Sequence, residues 1–387
     1  MRVALVHDWL TGMRGGEKVL EVLCEIFPRA DIFTLLHVPG SVSATIESHS
    51  IRTSALQRFP HVEKGYRYYL PLMPWAIERF DFSQYNLLIS SSHCVAKGAR
   101  PPEGALHVCY CLTPMRYIWD QYDSYFSRAR ARWPVRVAMG LLRARLQRWD
   151  AGTSHRVHFF AAISGNVAER IRRYYGREVS AVIYPPVDVD RFDVGAGTGG
   201  YYLVVSALAP YKRIDLAITA CRQLGRELKI VGTGPEERRL REVAGSDVDF
   251  LGWRTDDDVA HLYRDAEALL FPGEEDFGIV PLEAQASGRP VIAFDSGGVR
   301  ETVIPLTDSK GVSASARRGA VAGPTGVFFQ EQNTKALVEA ILTYEEHRTA
   351  FDPFALRQHA MCFDRRTCKA RLTEFLRDTC EIGGEVA

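Results

Sequence analysis

The first half of the chain alternates short apolar runs with polar, glycine-containing turns and amphipathic stretches. Val3 to Val6 form an apolar run, and the polar segment 7–16 follows it. In residues 17–27 the apolar side chains recur every three or four positions as far as Pro28, which predicts a helix. A strand, a glycine turn and a helix in this order open an α/β unit. Further buried parallel strands are predicted at 32–36, 87–89, 105–111 and 157–163.

The pattern breaks between residues 184 and 200, where two prolines and a glycine-rich stretch replace it. It resumes afterwards with apolar runs that predict strands at 201–205, 228–231, 268–271 and 290–294. The second half therefore repeats the α/β arrangement of the first.

From this break we predict an N-terminal domain over 1–184, a linker over 185–200 and a C-terminal domain over 201–387. The prediction allows the last helix of the chain to cross back to the N-terminal domain. Two doubly wound α/β domains are expected to leave a cleft between them. Ligands of such sheets lie at the carboxyl ends of the strands.

Composition narrows the class of protein. Of 387 residues, 46% are hydrophobic and 25% charged, which is ordinary for a folded, soluble protein. We find no apolar run of 18 residues and no secretory leader, so we expect a cytoplasmic protein. Eight cysteines without a C-x-x-C pair are expected to be thiols. The net charge of +1 and the lack of a recognition module argue against nucleic-acid binding.

The most informative segment is 271–288, where a predicted strand runs into an acidic loop and then a helix. Glu275 lies in the loop, Gly278 precedes the helix, and Pro281 fits the first helical turn. The N–H groups of that turn offer a site for a phosphate group. Glycine turns at 232–236 and 295–301 and the cations at 212–213 also follow predicted strands. Phosphate-binding helix ends, cations and carboxylates together suggest a nucleotide sugar as ligand.

These motifs resemble those of the retaining glycosyltransferases of family four, which have the GT-B fold of two facing Rossmann-like domains. The resemblance rests on the E-x7-E signature Glu275…Glu283, the segments 250–253 and 290–293, and the turn 295–301. The segment 210–213 is similar to the branch that assembles bacterial O-antigen, capsule and exopolysaccharide. Many members of that branch are mannosyltransferases that use GDP-mannose.

The resemblance implies a role for each matching residue. Glu275 would lie beside the donor sugar near the reacting carbon, and Glu283 would bind the ribose. Lys212, helped by Arg213, would neutralise the diphosphate leaving group. The remaining donor contacts would come from Gly15, Gly16, Gly232, the main chain at Trp253 and Arg254, and the backbone of Phe277, Gly278, Ile279 and Val280. Since these donors stabilise the leaving group, the resemblance implies neither a cofactor nor a metal ion.

The acceptor side is less well defined by the sequence. Asp8, at the end of the first strand, and the segment with Arg116 and Tyr117 are assigned to it, although a structural hydrogen bond explains Asp8 equally well. Two family residues are absent: Leu112 stands where many members have His, and Ala207 where many have Arg. The segment Asp188-Val189-Asp190 imitates a metal-binding motif, but it lies in the proline-rich stretch.

Two stretches of the first half combine aromatic and basic residues. Residues 64–79 do so, and so do residues 127–158, which contain Arg128, Arg130, Arg132, Arg136, Arg143, Arg145, Arg148 and Arg156. Residues 1–190 carry a net charge of +7, against −6 for residues 191–387. A cationic helix with aromatic side chains can lie on an anionic membrane. The alternative is a solvated helix whose tryptophans pack inward.

The resulting prediction is a metal-independent hexosyltransferase with peripheral contact to the cytoplasmic face of the inner membrane. It would transfer a hexose, foremost mannose from GDP-mannose, to a lipid-linked glycan in cell-surface polysaccharide synthesis. Two alternatives remain: a non-catalytic homologue that binds nucleotide sugars, motivated by Leu112 and Ala207, and a sugar-nucleotide epimerase of the same fold.

Overall fold

The computed structural model describes residues 1–126, 133–306 and 323–386. The chain divides into two compact units. The N-terminal unit contains residues 1–186 and 366–387, and the C-terminal unit contains residues 187–365. Among the described helices, none is both long and apolar enough to cross a membrane.

The N-terminal unit is built on a seven-stranded sheet in which every pairing is parallel. The spatial order is β3-β2-β1-β4-β5-β6-β7. The strands are β1 Val3–His7, β2 Asp31–Thr34, β3 Ile51–Thr53, β4 Leu87–Ser92, β5 Leu106–Cys111, β6 Phe159–Ala162 and β7 Ala181–Val182.

The helices of this unit lie in the connections between its parallel strands. In chain order they are α1 Gly15–Ile26, α2 Ala44–Glu47, α3 Val62–Gly65, α4 Met73–Ile77, α5 Tyr122–Phe126, α6 Trp133–Thr153 and α7 Gly165–Tyr175. The first predicted strand, glycine turn and helix are thus confirmed.

The C-terminal unit has a six-stranded parallel sheet. Its strands are β8 Tyr201–Val205, β9 Glu227–Val231, β10 Val248–Gly252, β11 Leu269–Phe271, β12 Val291–Phe294 and β13 Gly326–Phe329. The spatial order β10-β9-β8-β11-β12-β13 is the 3-2-1-4-5-6 order of a Rossmann sheet. The direction of winding reverses between β8 and β11. Loops that follow these two strands therefore begin at the point where such sheets bind ligands.

The helices of the C-terminal unit alternate with its strands. They are α8 Ile214–Leu224, α9 Glu237–Val243, α10 Asp256–Asp265, α11 Ile279–Ala286, α12 Val299–Thr302, α13 Thr334–Glu346 and α14 Pro353–Met361. The final helix, α15 Arg365–Val386, begins at the end of this unit, and its remaining residues are grouped with the N-terminal unit. There the Lys369 ammonium pairs with Glu25 of α1 at 3.0 Å. Two doubly wound parallel sheets confirm the predicted fold class.

Residues 187–200 are grouped with the C-terminal unit. The N–H groups of Gly195, Gly197 and Gly199 donate to the carbonyls of Ser287, Arg264 and Asp265. A Cβ on Gly195 would lie 2.1 Å from the Arg264 oxygen. Glycine is therefore needed here because the backbones approach closely.

A buried ion pair joins α6 to the rest of the N-terminal unit. Lys97 is 1% exposed, and its ammonium group lies 2.8 Å from an oxygen of the fully buried Asp150. The second oxygen of Asp150 accepts hydrogen bonds from Trp119 and Tyr175 at 2.8 and 2.9 Å. Thr153 accepts a further bond from Lys97 at 3.1 Å. Each charge therefore meets an opposite charge and further polar partners, which offset part of the cost of burying the pair.

Candidate functional site

The acidic loop between β11 and α11 is fixed at several points by neighbouring loops. The N–H of Gly298 donates to the Glu275 carbonyl at 2.8 Å, and the Ser296 hydroxyl donates to the Glu274 carboxylate at 3.0 Å. The Gln332 amide donates to the Pro272 carbonyl at 2.9 Å. The loop therefore has a defined position at the carboxyl end of β11.

Lys212 and Glu275 are brought together at this point. Lys212 ends a short 3-10 turn after β8, and its ammonium group forms an ion pair with the Glu275 carboxylate. Their side chains are 16% and 17% exposed. A Cβ on Gly273 would lie 2.8 Å from the Lys212 Cα, so the close approach of the two loops requires glycine at 273. Two of the three predicted catalytic residues thus occupy one site where the winding of the sheet reverses.

Arg213, the third predicted catalytic residue, is directed elsewhere. Its backbone is left-handed, with φ of 49°. Its guanidinium group binds both Asp215 carboxylate oxygens at 3.2 Å and the side chain of Gln332 at 3.4 Å. A part of its charge is therefore balanced by Asp215. Its assistance at a diphosphate stays a prediction.

The start of α11 lies directly after the acidic loop. Gly278 caps the helix with φ of 107°, a conformation that favours glycine. Phe277 is buried against Phe363, with ring centroids 6.0 Å apart, and this contact anchors the turn. The N–H groups of Ile279 and Val280 belong to the first turn and have no intrahelical acceptor. The geometry therefore suits an anion.

Glu283 lies one turn further along α11 and is bound by a residue that the sequence analysis missed. The Tyr263 hydroxyl, in α10, donates to a Glu283 oxygen at 3.3 Å. Tyr263 is fully buried; burial and the negative charge of Glu283 raise the pKa of its hydroxyl. A tyrosine on the buried face of an amphipathic helix was the only signal in the sequence for this contact.

The other predicted donor residues lie at the ends of β9 and β10. Gly232 donates its N–H to the Gly252 carbonyl at 2.8 Å, and a Cβ on it would lie 1.9 Å from the Ser206 oxygen. Trp253 is 72% exposed, and the Arg254 guanidinium donates to its carbonyl at 3.2 Å. The side chains of Trp253 and Arg254 are accessible to a ligand. The contact of their main chain with a nucleobase stays a prediction.

In the N-terminal unit, Gly15 and Gly16 form the first turn of α1. Leu112, at the end of β5, and His7, at the end of β1, pack beneath them. A Cβ on Gly16 would lie 3.0 Å from Leu112 Cδ1 and 3.4 Å from His7 Cε1. Arg116 and Tyr117 are half-buried in the loop after β5.

Asp8 has a structural role. Its fully buried carboxylate accepts the backbone N–H groups of residues 93, 94, 95 and 96 at 2.6–2.9 Å and lies 3.0 Å from the His93 ring. Burial alone would raise its pKa, but His93, the backbone donors and His7 hold the pKa of Asp8 well below its usual range. The hydrogen-bonding alternative named for Asp8 is therefore the one the structure supports.

Comparison with known proteins agrees with this fold. The fold resembles Anabaena Alr3699/HepE, solved with UDP-glucose, with a TM-score of 0.67 and 18% identity over 98% of this chain and 100% of that one. It also resembles sucrose-phosphate synthase from Thermosynechococcus elongatus, with a TM-score of 0.70 and 18% identity over 99% and 100%. Two Rossmann-like units in one chain place the protein in the GT-B class of glycosyltransferase folds.

The C-terminal unit matches a known family. Residues 187–358 match the family model for glycosyl transferases group 1. A GDP-mannose-dependent monoacylated alpha-(1-6)-phosphatidylinositol monomannoside mannosyltransferase of Corynebacterium glutamicum is 39% identical over 118 residues, covering 26% of this chain and 31% of the relative. The chain aligns with between 31% and 41% of the length of such curated relatives.

Proposed function

We propose that this protein is a retaining hexosyltransferase that transfers mannose from GDP-mannose to a lipid-linked glycan in cell-surface polysaccharide synthesis. The observation that carries the proposal is the Lys212–Glu275 ion pair beside the start of α11. A cation, a carboxylate and free helical N–H groups lie at the carboxyl ends of β8 and β11. This arrangement suits a donor with a negatively charged leaving group and a hydroxylated sugar.

The reaction would proceed as follows. The bond between the anomeric carbon and the diphosphate oxygen breaks, and negative charge develops on the diphosphate. Lys212 and the N–H groups of Ile279 and Val280 stabilise that charge because they lie together at this end of the sheet before the donor binds. The acceptor hydroxyl forms its new bond on the same face of the sugar, and its proton passes to the leaving phosphate oxygen. Every charge is supplied by the protein or the donor, so we propose that no metal is required.

The Lys212–Glu275 pair also explains how the two charges of the site are compensated before the donor binds. In the free protein Glu275 balances the half-buried ammonium group. When the diphosphate takes over this balance, the Glu275 carboxylate becomes free to accept hydrogen bonds from the sugar hydroxyls. Mannose and guanine are supported by the Corynebacterium relative, a GDP-mannose-dependent mannosyltransferase.

An exposed face of α6 supports a membrane-bound acceptor. Trp133, Val137 and Leu141 follow at intervals of four residues and are 72%, 53% and 78% exposed. Arg145 and Arg148 continue the same face and are exposed as well. We propose that this α6 face rests on the anionic cytoplasmic surface of the membrane. Arg128, Arg130 and Arg132, which the sequence analysis grouped with it, lie outside the described residues.

The function can be tested by incubating the full chain with GDP-mannose and a prenyl-diphosphate-linked glycan. We expect GDP release and a glycan heavier by one hexose, both abolished in Glu275→Ala. We expect nuclear magnetic resonance of the product to show that the new glycosidic bond has the same anomeric configuration as the sugar in the donor. Tight GDP-mannose binding without turnover would instead favour a non-catalytic homologue. An epimerised sugar nucleotide formed without acceptor would identify an epimerase.

A further inference from the structure

Gln332 bridges the two loops that carry the Lys212–Glu275 pair. It lies half-buried in the segment between β13 and α13. Its amide nitrogen donates to the Pro272 carbonyl at 2.9 Å, in the loop after β11. Its side-chain and backbone oxygens each accept a hydrogen bond from the Arg213 guanidinium group at 3.4 Å, in the loop after β8. Gln332, from a third loop, thus contacts a residue close in the chain to each member of the pair.

The backbone on both sides of Gln332 is itself held in place. Asn333, the next residue, caps α13 by accepting the Ala336 N–H at 2.9 Å. The Asn333 amide donates to the Glu331 carboxylate at 2.8 Å, and its backbone N–H donates to the Glu331 carbonyl at 2.7 Å. Because its neighbours are fixed, the Gln332 side chain extends from a defined point and can constrain the loops that it contacts.

The chemistry of the two contacts accounts for a glutamine at this position. Its amide offers a donor and an acceptor at one end of the side chain. The nitrogen faces the Pro272 carbonyl, which can only accept, and the oxygen faces the Arg213 guanidinium group, which can only donate. An ionised glutamate would lack the donor, a methionine would lack both groups, and an asparagine would be one methylene shorter.

The contact with Pro272 bears on Glu275 because the loop between them is short and closely packed. A Cβ on Gly273 would lie 2.8 Å from the Lys212 Cα and 3.0 Å from the Lys212 carbonyl oxygen. Further along, the Glu275 carbonyl accepts the Gly298 N–H at 2.8 Å. The bond from Gln332 holds the loop at its beginning, so its loss allows Glu275 to shift relative to Lys212.

We propose that Gln332 is a positioning residue that holds the Glu275 carboxylate against the Lys212 ammonium group through its hydrogen bond to the Pro272 carbonyl. This rests on the proposed function, in which both charges act on the donor. Electrostatic catalysis depends on groups that are oriented before the reaction, and a displacement on the order of 1 Å lowers the rate. Loss of the bridge therefore acts on kcat, and it acts through Glu275.

The kinetic test uses Gln332→Met, which keeps the length of the side chain and removes both of its hydrogen-bonding groups. In the full chain, with GDP-mannose and the prenyl-diphosphate-linked glycan, we expect kcat to fall about three- to tenfold, the scale of one hydrogen bond. In a Glu275→Gln background the same substitution should lower kcat less than about twofold, since the group that Gln332 positions is already changed. A general structural defect would lower kcat by the same factor in both backgrounds.

Two further variants identify the contact that matters. Gln332→Glu keeps an acceptor for Arg213 but lacks the donor for Pro272, so we expect it to lower kcat at least as much as Gln332→Met. Wild-type kcat in Gln332→Glu would overturn the proposal. Gln57→Met is the matched control, because the Gln57 amide accepts the His37 N–H at 2.7 Å in the N-terminal unit. It should lower stability comparably and leave kcat unchanged.

Zero-length cross-linking measures the positioning without turnover. A carbodiimide joins a lysine to a carboxylate when the two groups are in contact, and mass spectrometry quantifies the Lys212–Glu275 product. The Lys369–Glu25 pair, at 3.0 Å, is the internal reference. We expect Gln332→Met to lower the ratio of the first product to the second by about twofold or more, the lower end of the effect of one hydrogen bond on a population. Gln57→Met should leave this ratio unchanged.

The possible outcomes separate this inference from the proposed function. An unchanged cross-linking ratio in Gln332→Met refutes the positioning role, whatever the activity. An unchanged kcat, or equal losses of kcat in the wild-type and Glu275→Gln backgrounds, refutes it as well. If the wild type transfers no hexose from GDP-mannose while the ratio falls in Gln332→Met, the proposed function fails and the positioning of the pair stands.

Discussion

The ammonium group of Lys212 pairs with the carboxylate of Glu275, although 62 positions separate them in the chain. The pair forms because the loops after β8 and β11 meet where the sheet reverses its winding. Each charge is half-buried and depends on the other for compensation. Changing either residue therefore alters the electrostatics of the whole site.

The first prediction concerns this pair. Glu275→Gln keeps the shape of the side chain and removes its charge, and Lys212→Met removes the cation. We expect each to lower kcat by about 10²- to 10³-fold, the usual effect of losing one preorganised electrostatic contact. Lys335→Met, which breaks an exposed pair with Glu339, is the control and should leave kcat unchanged. Wild-type kcat in Lys212→Met would contradict the assignment.

The effect of substituting Arg213 can be compared with that of substituting Lys212. Because its guanidinium group is engaged by Asp215 and Gln332, we expect Arg213→Gln to lower kcat less than tenfold, the smaller effect of a charge already shared. Steady-state kinetics of Lys212→Met and Arg213→Gln under the same conditions measure the difference. Equal losses in the two variants would show that Arg213 turns to the ligand during turnover.

Tyr263 allows the role of Glu283 to be tested without removing its carboxylate. Tyr263→Phe deletes the hydroxyl that donates to Glu283. If Glu283 binds the donor ribose, its loss of orientation should raise the donor KM about three- to tenfold, the scale of one hydrogen bond to a charged group, with kcat little changed. Tyr344→Phe removes a comparable hydroxyl, bonded to the Glu267 carbonyl, and should not affect KM. A fall in kcat alone would place Glu283 closer to the reacting carbon.

The α6 face predicts membrane association. Leu141→Asp should reduce co-sedimentation with vesicles that contain anionic lipid by about tenfold, because one large apolar side chain no longer enters the interface. Arg145→Glu should act in the same direction and more strongly at low salt. Leu342→Asp, at an exposed leucine of the C-terminal unit, is the control. Arg143 is unsuitable for this test because its guanidinium group donates to the Ile118 carbonyl and stacks on Tyr122.

Equal sedimentation of wild type and Leu141→Asp, with the control also unchanged, would exclude the α6 face as the membrane contact. The donor affinity of both variants should equal that of the wild type. That measurement separates a surface effect from misfolding.

From the hydrogen bonds of the buried Asp8 carboxylate we predict that the folded state loses stability in acid. Its folded-state pKa lies below its unfolded value, so its contribution to stability is fully present above about pH 4 and is lost as pH falls towards the folded-state pKa. Asp8→Asn places an NH₂ group against backbone N–H donors and should lower the free energy of unfolding by about 2–3 kcal/mol at pH 7. Urea unfolding of wild type and variant at pH 7 and pH 3 measures both effects. The difference between them should shrink at pH 3.

The sequence by itself determined the two α/β units and the elements of the candidate site. Apolar runs of three to seven residues, glycine turns and helical periodicity depend on neighbouring positions alone, so β1 and α1 were predicted close to their observed bounds. The local pattern around residues 271–288 likewise places Glu275 in a loop and Glu283 in the helix that follows it. These features are local, and the physical rules behind them act over a few residues.

Only the tertiary structure decided which charges meet. Lys212 and Arg213 are neighbours in the chain, yet the left-handed backbone at Arg213 turns one towards Glu275 and the other towards Asp215. The contact of Tyr263 with Glu283 and that of His7 with Gly16 join elements that are distant in sequence. Such pairings depend on the order of strands and on the packing of side chains across loops, and no local pattern encodes that information.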